Sequence, residues 1–363
     1  MQRPSCVEEN VSGATLTTMQ VGGVIRFFAR VKTVDQLREV QTWGRAKNLE
    51  TRVIGAGSNL IFPDAGVTGL VIRMENTEAA VLPAEEAQGY EDAFAAWKSA
   101  SHPEVRHTQG KAEGVLQLPS DDDEAGEPQL VSFGAGMLWG QAVMWSLQQS
   151  LIGLEWFSRI PCRVGGAVFN NIHGGTHFFS EYIVAVHAID EKGEEQVFSH
   201  DDLKFAYDYS LFHEKRGLSI TKVICALDHV SPELAAKKRD FYLHWTQEKT
   251  RVQPAGPNCG SVFQNLGAVS PELTPLAISE KIQRPEEGWS QSAARYIDLA
   301  GCKGMRVGGM EVFPGHANFI CNVGIAEGRP GTAEDLATLI KLVMQRVNER
   351  FSLTLVPEVE FLQ

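Results

Sequence analysis

The 363-residue chain is 43% hydrophobic and 21% charged, with 45 acidic against 33 basic side chains and a net charge of -12. It is long and apolar enough for two or three packed domains, which excludes a disordered chain. The acidic balance argues against nucleic acid or an anionic membrane surface as partner, because both need clustered cations.

Along the chain, Thr33 to Asp35 offers a cap for a helix over Val34–Lys47. Thr51–Ile61 begins as a strand and breaks into Gly-Ala-Gly-Ser-Asn, and Gly69–Ile72 returns to strand character. From about residue 84 to 128 the composition shifts to Glu, Ala, Gln, Gly and Ser, with the run Asp121 to Glu124. That stretch reads as an acidic insertion, a solvated loop with no binding role.

Leu130–Phe133 is the next strand, followed by a Gly134-Ala135-Gly136 turn and a helix carrying Trp139, Val143, Met144 and Leu147 on one face. Strands are expected near Tyr182–Asp190 and Ser219–Asp228, a helix over Ala293–Ala300, and a strand in ANFICNVG. A long amphipathic helix spans about Thr332–Phe351, with Thr332 three residues before Asp335 as a capping pair.

Six cysteines, at positions 6, 162, 225, 259, 302 and 321, form no C-x-x-C pair and no ligand set with histidine. Neither a metal site nor a disulfide framework is indicated, so free thiols and a cytoplasmic setting are expected. The start MQRPSCVEENVSG has no apolar core of signal-peptide length, and no run reaches the ~18 apolar residues of a membrane-spanning helix.

Two glycine loops carry the candidate ligand chemistry. In Gly55, Ala56, Gly57, Ser58, Asn59 and Leu60 the glycines let backbone N–H groups converge and Ser58 and Asn59 add side-chain donors, which suits a pyrophosphate. The spacing lacks the G-x-G-x-x-G and following helix of a Rossmann site. The second loop, Ile160–Asn171, follows a helix and is able to approach a flat or anionic ligand, and two such loops suggest one large dinucleotide. Later, Pro257–Asn265 (PNCGSVFQN) places Ser261 in a Gly-flanked turn before Val262 and Phe263, and PEVEF at 357–361 carries Glu358.

Read together, VGG at 21–23, GAGSNL, SFGAGMLWG, GLEWFSRIPCRVGGAV, PNCGSVFQN, AGCKGMRVGG, HANFICN and PEVEF resemble, in order and almost end to end, the UDP-N-acetylenolpyruvoylglucosamine reductase family. The resemblance implies an α/β (α+β) fold. An FAD-binding domain of the vanillyl-alcohol-oxidase (PCMH) type, made of two α/β subdomains, would occupy 1–230, and a substrate-binding α/β domain 231–363. It implies non-covalent FAD, NADPH as hydride donor, a UDP-sugar enolpyruvate substrate, no nucleic-acid or membrane partner, and a monomer.

By position, the cofactor residues would be Gly55–Leu60, Ile160, Pro161, Val164, Gly165, Gly166, Ala167 and Asn171. Ser261 matches the family's proton donor and Glu358 its glutamate. Tyr207, Arg251, Gln264, Asn265 and Arg306 match positions near substrate, with Gln264 at a site usually occupied by lysine.

The chain departs from the family at three further places. Where the family has a tyrosine-arginine-x-serine segment, this chain has Tyr207, Asp208, Tyr209 and Ser210. An aspartate there would repel a substrate carboxylate that an arginine would hold. Arg159, Cys162 and Arg163 replace glycine and small hydroxyl residues in the second loop, and Arg163 or Arg159 is a candidate to take over the lost positive charge. The stretch from Asn171 to Ile183 is longer than the family's loop and adds His173 and His177. Two further readings follow from these departures: an oxidoreductase of the same fold acting on another sugar or hydroxy compound, and a non-catalytic flavin-binding regulator.

Overall fold

The computed structural model describes residues 2–99, 126–174, 177–266 and 292–362. The chain forms two units, one from Met1–Asn10, Arg26–Ala56 and Thr68–Glu248, the other from Val11–Ile25, Gly57–Val67 and Lys249–Gln363. Two short N-terminal stretches thus join Lys249–Gln363 in the second unit.

The first unit holds two sheets. The smaller has the strand order Val7–Ser12, Val24–Val31, Val67–Met74, Thr51–Ile54, with the last two parallel. The Val34–Ala46 helix buries Leu37, Val40 and Trp43 with Val31, Leu70 and Ile72, and the Thr33 hydroxyl accepts from the Gln36 N–H at 3.1 Å as its cap.

The larger sheet is antiparallel, in the order Glu195–Ser199, Ile183–Ile189, Ser219–His229, Pro128–Gly134, Ala79–Val81. Every residue of Ile183–Ile189 is buried, which requires cover on both faces. The strand period of two divides the cover: Val223, Cys225 and Leu227 face the core built on the Trp139–Gln148 helix, while Ile224 and Ala226 face the other way.

That second cover comes from the segment expected to be a solvated loop. Ala84–Ala87 and Glu91–Ser99 are helices, and Ala87, Tyr90, Ala93, Phe94 and Trp97 lie on the sheet with Ile224 and Ala226. Tyr90 Oη lies 2.8 Å from His187 Nε2, and Trp97 Nε1 donates to the Glu181 carbonyl at 2.9 Å. The acidic residues occupy the outer face of an amphipathic helix, so composition hid a helical period. Residues 100–125, including the Asp121 to Glu124 run, lie outside the described residues.

The second unit has one antiparallel sheet in the order Asn258–Ser261, Phe319–Asn322, Met310–Val312, Arg306–Val307. The Ala333–Phe351 helix packs Leu336, Leu339, Ile340, Val343 and Val347 into a core shared with Met19, Val21 and Ile61. Thr332 and Asp335 form the expected reciprocal cap. The Asp64 carboxylate accepts from the Ala333 and Glu334 N–H groups at 2.8 and 3.0 Å, placing negative charge at the positive end of the helix dipole.

Candidate functional site

In the first unit the two glycine loops meet. A Cβ built on Gly55 would lie 3.7 Å from Gly166 Cα, whereas one on Gly166 would touch nothing within 4 Å. Gly165 has a different reason to be glycine: its N–H donates to the Ala135 carbonyl at 2.8 Å, and a side chain would press on Ala135 at 3.1 Å. Gly165 therefore seats the segment on the Gly134–Gly136 turn, and Gly166 presents bare backbone to open space. That cradle fits a flat ligand approaching the main chain, as expected of FAD.

Val164–Phe169 is itself a helix, so the expected loop holds its glycines in the first helical turn. Ile160 and Pro161 lie just before it, the Ile160 carbonyl accepting from the Cys162 N–H at 2.9 Å. Ala167 is fully buried. Asn171 is buried too, with φ of 43°; its amide donates to the Ala206 carbonyl at 3.0 Å and accepts from the Ser180 N–H at 2.9 Å. Its side chain therefore ties the end of this helix to the turn that carries Tyr207 and Asp208.

Arg163 does not offer a free charge. Its guanidinium donates to the Gly136 carbonyl and pairs with Glu75 at 3.5 Å, with 14% of the side chain exposed. Burial lowers the pKa of Arg163 and, with the neighbouring Arg163 charge, that of Arg73. Arg159 adopts a left-handed backbone, φ 59°.

The two histidines of the lengthened loop have separate surroundings. His177 pairs with Glu181 at 2.7 Å and lies against Trp156, ring centroids 4.4 Å apart. His173 stacks on Tyr207 at 4.9 Å and its Nε2 lies 3.5 Å from Asp208 Oδ1.

In the second unit, three stretches distant in sequence build one corner. The Asn258–Ser261 strand is bulged, with Gly260 at φ 82° and Ser261 opposite Phe319. Ser261 is thus half-buried at a strand end; the glycine expected to make a turn makes a bulge that re-aims the residue after it. Beyond it, Asn318 clamps Phe263, accepting from its N–H at 3.0 Å and donating to its carbonyl at 2.8 Å.

The C-terminal stretch pairs with the same backbone. Gln264 N–H donates to the Val356 carbonyl at 2.9 Å, and Glu358 N–H to the Val262 carbonyl at 2.8 Å. This seats Glu358 one residue from Ser261 across the pairing. Its carboxylate also reaches Cys259: burial first, then the Glu358 charge, pushes that thiol up to about 12. On the other side Asn59 Nδ2 donates to the Glu358 carbonyl at 3.0 Å, and Glu360–Phe361 runs parallel to Leu60–Ile61.

The turn before Asn59 is closed. Gly57 has φ 72°, and a Cβ there would stand 2.0 Å from the Leu16 carbonyl oxygen. Ser58 is held through its carbonyl, which accepts from the Thr18 hydroxyl at 3.4 Å. Asn59 Oδ1, by contrast, is buried with no hydrogen-bond partner. An orphaned buried acceptor is costly unless a ligand donor meets it.

The structure brings Ser261, Glu358 and Gln264 together, with Asn265 two residues along the backbone from Phe263. Arg306 is not among them. It lies on the far edge strand, three strand spacings or about 14 Å away, and Glu311 and Glu327 hold its guanidinium at 2.9 and 2.6 Å. Those carboxylates, Glu327 first, raise its pKa. Arg251 is exposed near the end of the Pro232–Val252 helix.

His316 accepts from the Asn318 N–H at 3.3 Å and packs edge-on to Phe319, a role in the fold; burial lowers its pKa. Among the described residues, no group of His, Cys, Asp and Glu could hold a metal ion, and no helix is long and apolar enough to cross a membrane.

Residues 253–362 match the family model of the UDP-N-acetylenolpyruvoylglucosamine reductase C-terminal domain, and residues 117–199 that of an FAD binding domain. The chain is 32% identical over 361 residues to a UDP-N-acetylenolpyruvoylglucosamine reductase of Synechococcus sp. (strain CC9311), covering 98% of this chain and 92% of that protein. A protein of the same name from Gloeobacter violaceus is 30% identical over 358 residues, covering 98% and 96%. The crystal structure of UDP-N-acetylenolpyruvylglucosamine reductase from Thermus caldophilus aligns with a TM-score of 0.64 at 25% identity, over 98% of this chain and 99% of that one.

Proposed function

The chain belongs to the UDP-N-acetylenolpyruvoylglucosamine reductase family of FAD-dependent oxidoreductases, and from that premise we propose that it reduces UDP-N-acetylglucosamine enolpyruvate to UDP-N-acetylmuramate with NADPH. The observation that supports this reading best is the backbone pairing of Glu358 with Val262, the residue that follows Ser261.

When bound, FAD supplies hydride transfer, the chemistry that no side chain of this protein possesses. Gly55, Ala56, Gly166 and Ala167 would hold it by close main-chain approach. The protein's own task is then the proton. Hydride addition at one carbon of the enolpyruvyl double bond leaves carbanionic character at its neighbour, and the Ser261 hydroxyl delivers a proton there without placing a standing charge beside the developing anion. Glu358 steadies the polarised carboxyl group of the substrate or returns a proton to the serine. The buried Asn59 Oδ1 accepts from a ligand N–H or O–H.

The test is an anaerobic double-mixing experiment that follows the flavin band near ~450 nm. NADPH bleaches the protein, and addition of the enolpyruvyl substrate restores the band. Ser261→Ala slows that return by about 10²- to 10⁴-fold, the contribution of one positioned general acid, while bleaching by NADPH proceeds. A wild-type protein that stays bleached with substrate but is reoxidised by oxygen would sink the reading. Asp208, in the family's arginine position, is the observation favouring the second reading, an oxidoreductase of this fold acting on another sugar or hydroxy compound.

A further inference from the structure

Asp208 occupies a costly position. Ala206 and Tyr209 exchange backbone hydrogen bonds at 3.1 and 3.2 Å, so Tyr207 and Asp208 form the tip of a two-residue turn. Asp208 has φ 52°, a left-handed conformation that costs a non-glycine residue about 1 kcal/mol. Its side chain is 8% exposed, and Oδ2 is buried with no hydrogen-bond partner. A carboxylate withdrawn from water needs a compensating charge. Among the described residues His173, 3.5 Å away, is the one ion-pairing partner it has.

His173 is arranged differently. Nε2 faces Asp208, the ring lies on Tyr207, and Phe178 closes one edge at 5.5 Å, while 29% of the side chain remains exposed. Nδ1 has no partner among the described residues. The carboxylate at Nε2 fixes the ring orientation, so that Nδ1 is directed away from the pair. Two ties hold this turn to the Val164–Phe169 helix that carries Gly166: Asn171 binds the Ala206 carbonyl, and the Ser210 hydroxyl donates to the Phe169 carbonyl at 2.7 Å.

We propose that His173, oriented by Asp208 and stacked on Tyr207, is the hydrogen-bond donor that receives the carboxylate of the enolpyruvyl substrate, with Asp208 as its positioning residue. The contact that the family makes from position 208 is thus made by residue 173. The assignment rests on the reductase reading and deepens it. It replaces Arg163 in that role, whose guanidinium is already taken by Glu75 and the Gly136 carbonyl.

The test is equilibrium titration of the oxidised flavoprotein with UDP-N-acetylglucosamine enolpyruvate, read as perturbation of the flavin spectrum. His173→Gln weakens binding about 10- to 100-fold, the size of one hydrogen bond to a charged group. Asp208→Asn gives a smaller loss, and His173→Ala with Asp208→Arg recovers affinity. Flavin content shows that each variant has folded; if His173→Gln holds no flavin, the Asp208 variants carry the test. Equal binding by His173→Gln and wild type overturns the assignment alone. No binding by the wild type overturns the reductase reading and the assignment with it.

Discussion

Gly57 and Gly166 sit in two glycine loops that read alike as sequence, yet structure gives them opposite reasons to lack a side chain. At Gly57 the backbone is left-handed and a Cβ would strike the Leu16 carbonyl, so glycine there makes the fold possible. At Gly166 the backbone is helical and the space beyond it is open, so glycine there leaves room for something else. A glycine motif marks close approach of backbone to a neighbour; only the surroundings tell whether that neighbour is protein or ligand.

The contrast can be broken from either side. Gly57→Ala should cost about 3 kcal/mol or more, from strain at positive φ plus the carbonyl clash, seen as a fall in thermal midpoint of the flavin-free protein; an unchanged midpoint would remove the distinction. Gly166→Leu should leave that midpoint within about 1 kcal/mol, since a leucine is at home in a helix, but weaken flavin binding about 10- to 100-fold. A leucine variant that purifies with full flavin would sink the cradle at Gly166.

Two smaller effects sharpen the same division between fold and ligand. Asn318→Ala strips Phe263 of two buried hydrogen bonds and should cost about 2 kcal/mol, together with slower flavin reoxidation because Ser261 lies on the same backbone. Denaturant unfolding and the double-mixing assay read the two parts. Thr332→Ala should cost about 1 kcal/mol through loss of the helix cap and leave flavin reoxidation as it is.

What was legible in the sequence follows from periodicity. The Val34–Ala46 and Ala333–Phe351 helices have a strong period of 3.6, the Ile183–Ile189 and Ser219–His229 strands are largely apolar runs of strand length, and their positions match. The Glu91–Ser99 helix was missed because acidic residues on its outer face dominated the composition. The Pro232–Val252 helix was passed over because few of its residues are buried, chiefly Leu234, Ala235, Lys238 and Tyr242.

Within the site, Ser261 and Glu358 could be picked out by their motifs, but not the bulge that aims one or the pairing that seats the other. Arg306 matched a motif and lies on the edge strand opposite Ser261, and the His173–Asp208 pair joins residues 35 positions apart in sequence by a tie, Asn171 to Ala206, that no local pattern announces.

The bond from Asn59 to Glu358 joins residues 299 positions apart. Closing a loop of that length from an unfolded chain costs about 5 kcal/mol in entropy, and the corner formed by Gly57–Ile61, Ser261–Gln264 and Val356–Leu362 has only short strands to offset it. Order of assembly is the consequence. The large antiparallel sheet built from strands between residues 79 and 229 gains its own core from nearer partners and condenses first, shortening the intervening coil. In a pulse-labelled refolding experiment the amides of Glu358 and Glu360 then gain protection after those of Val223 and Cys225, so the corner that holds Ser261 and Glu358 becomes solid after the large sheet.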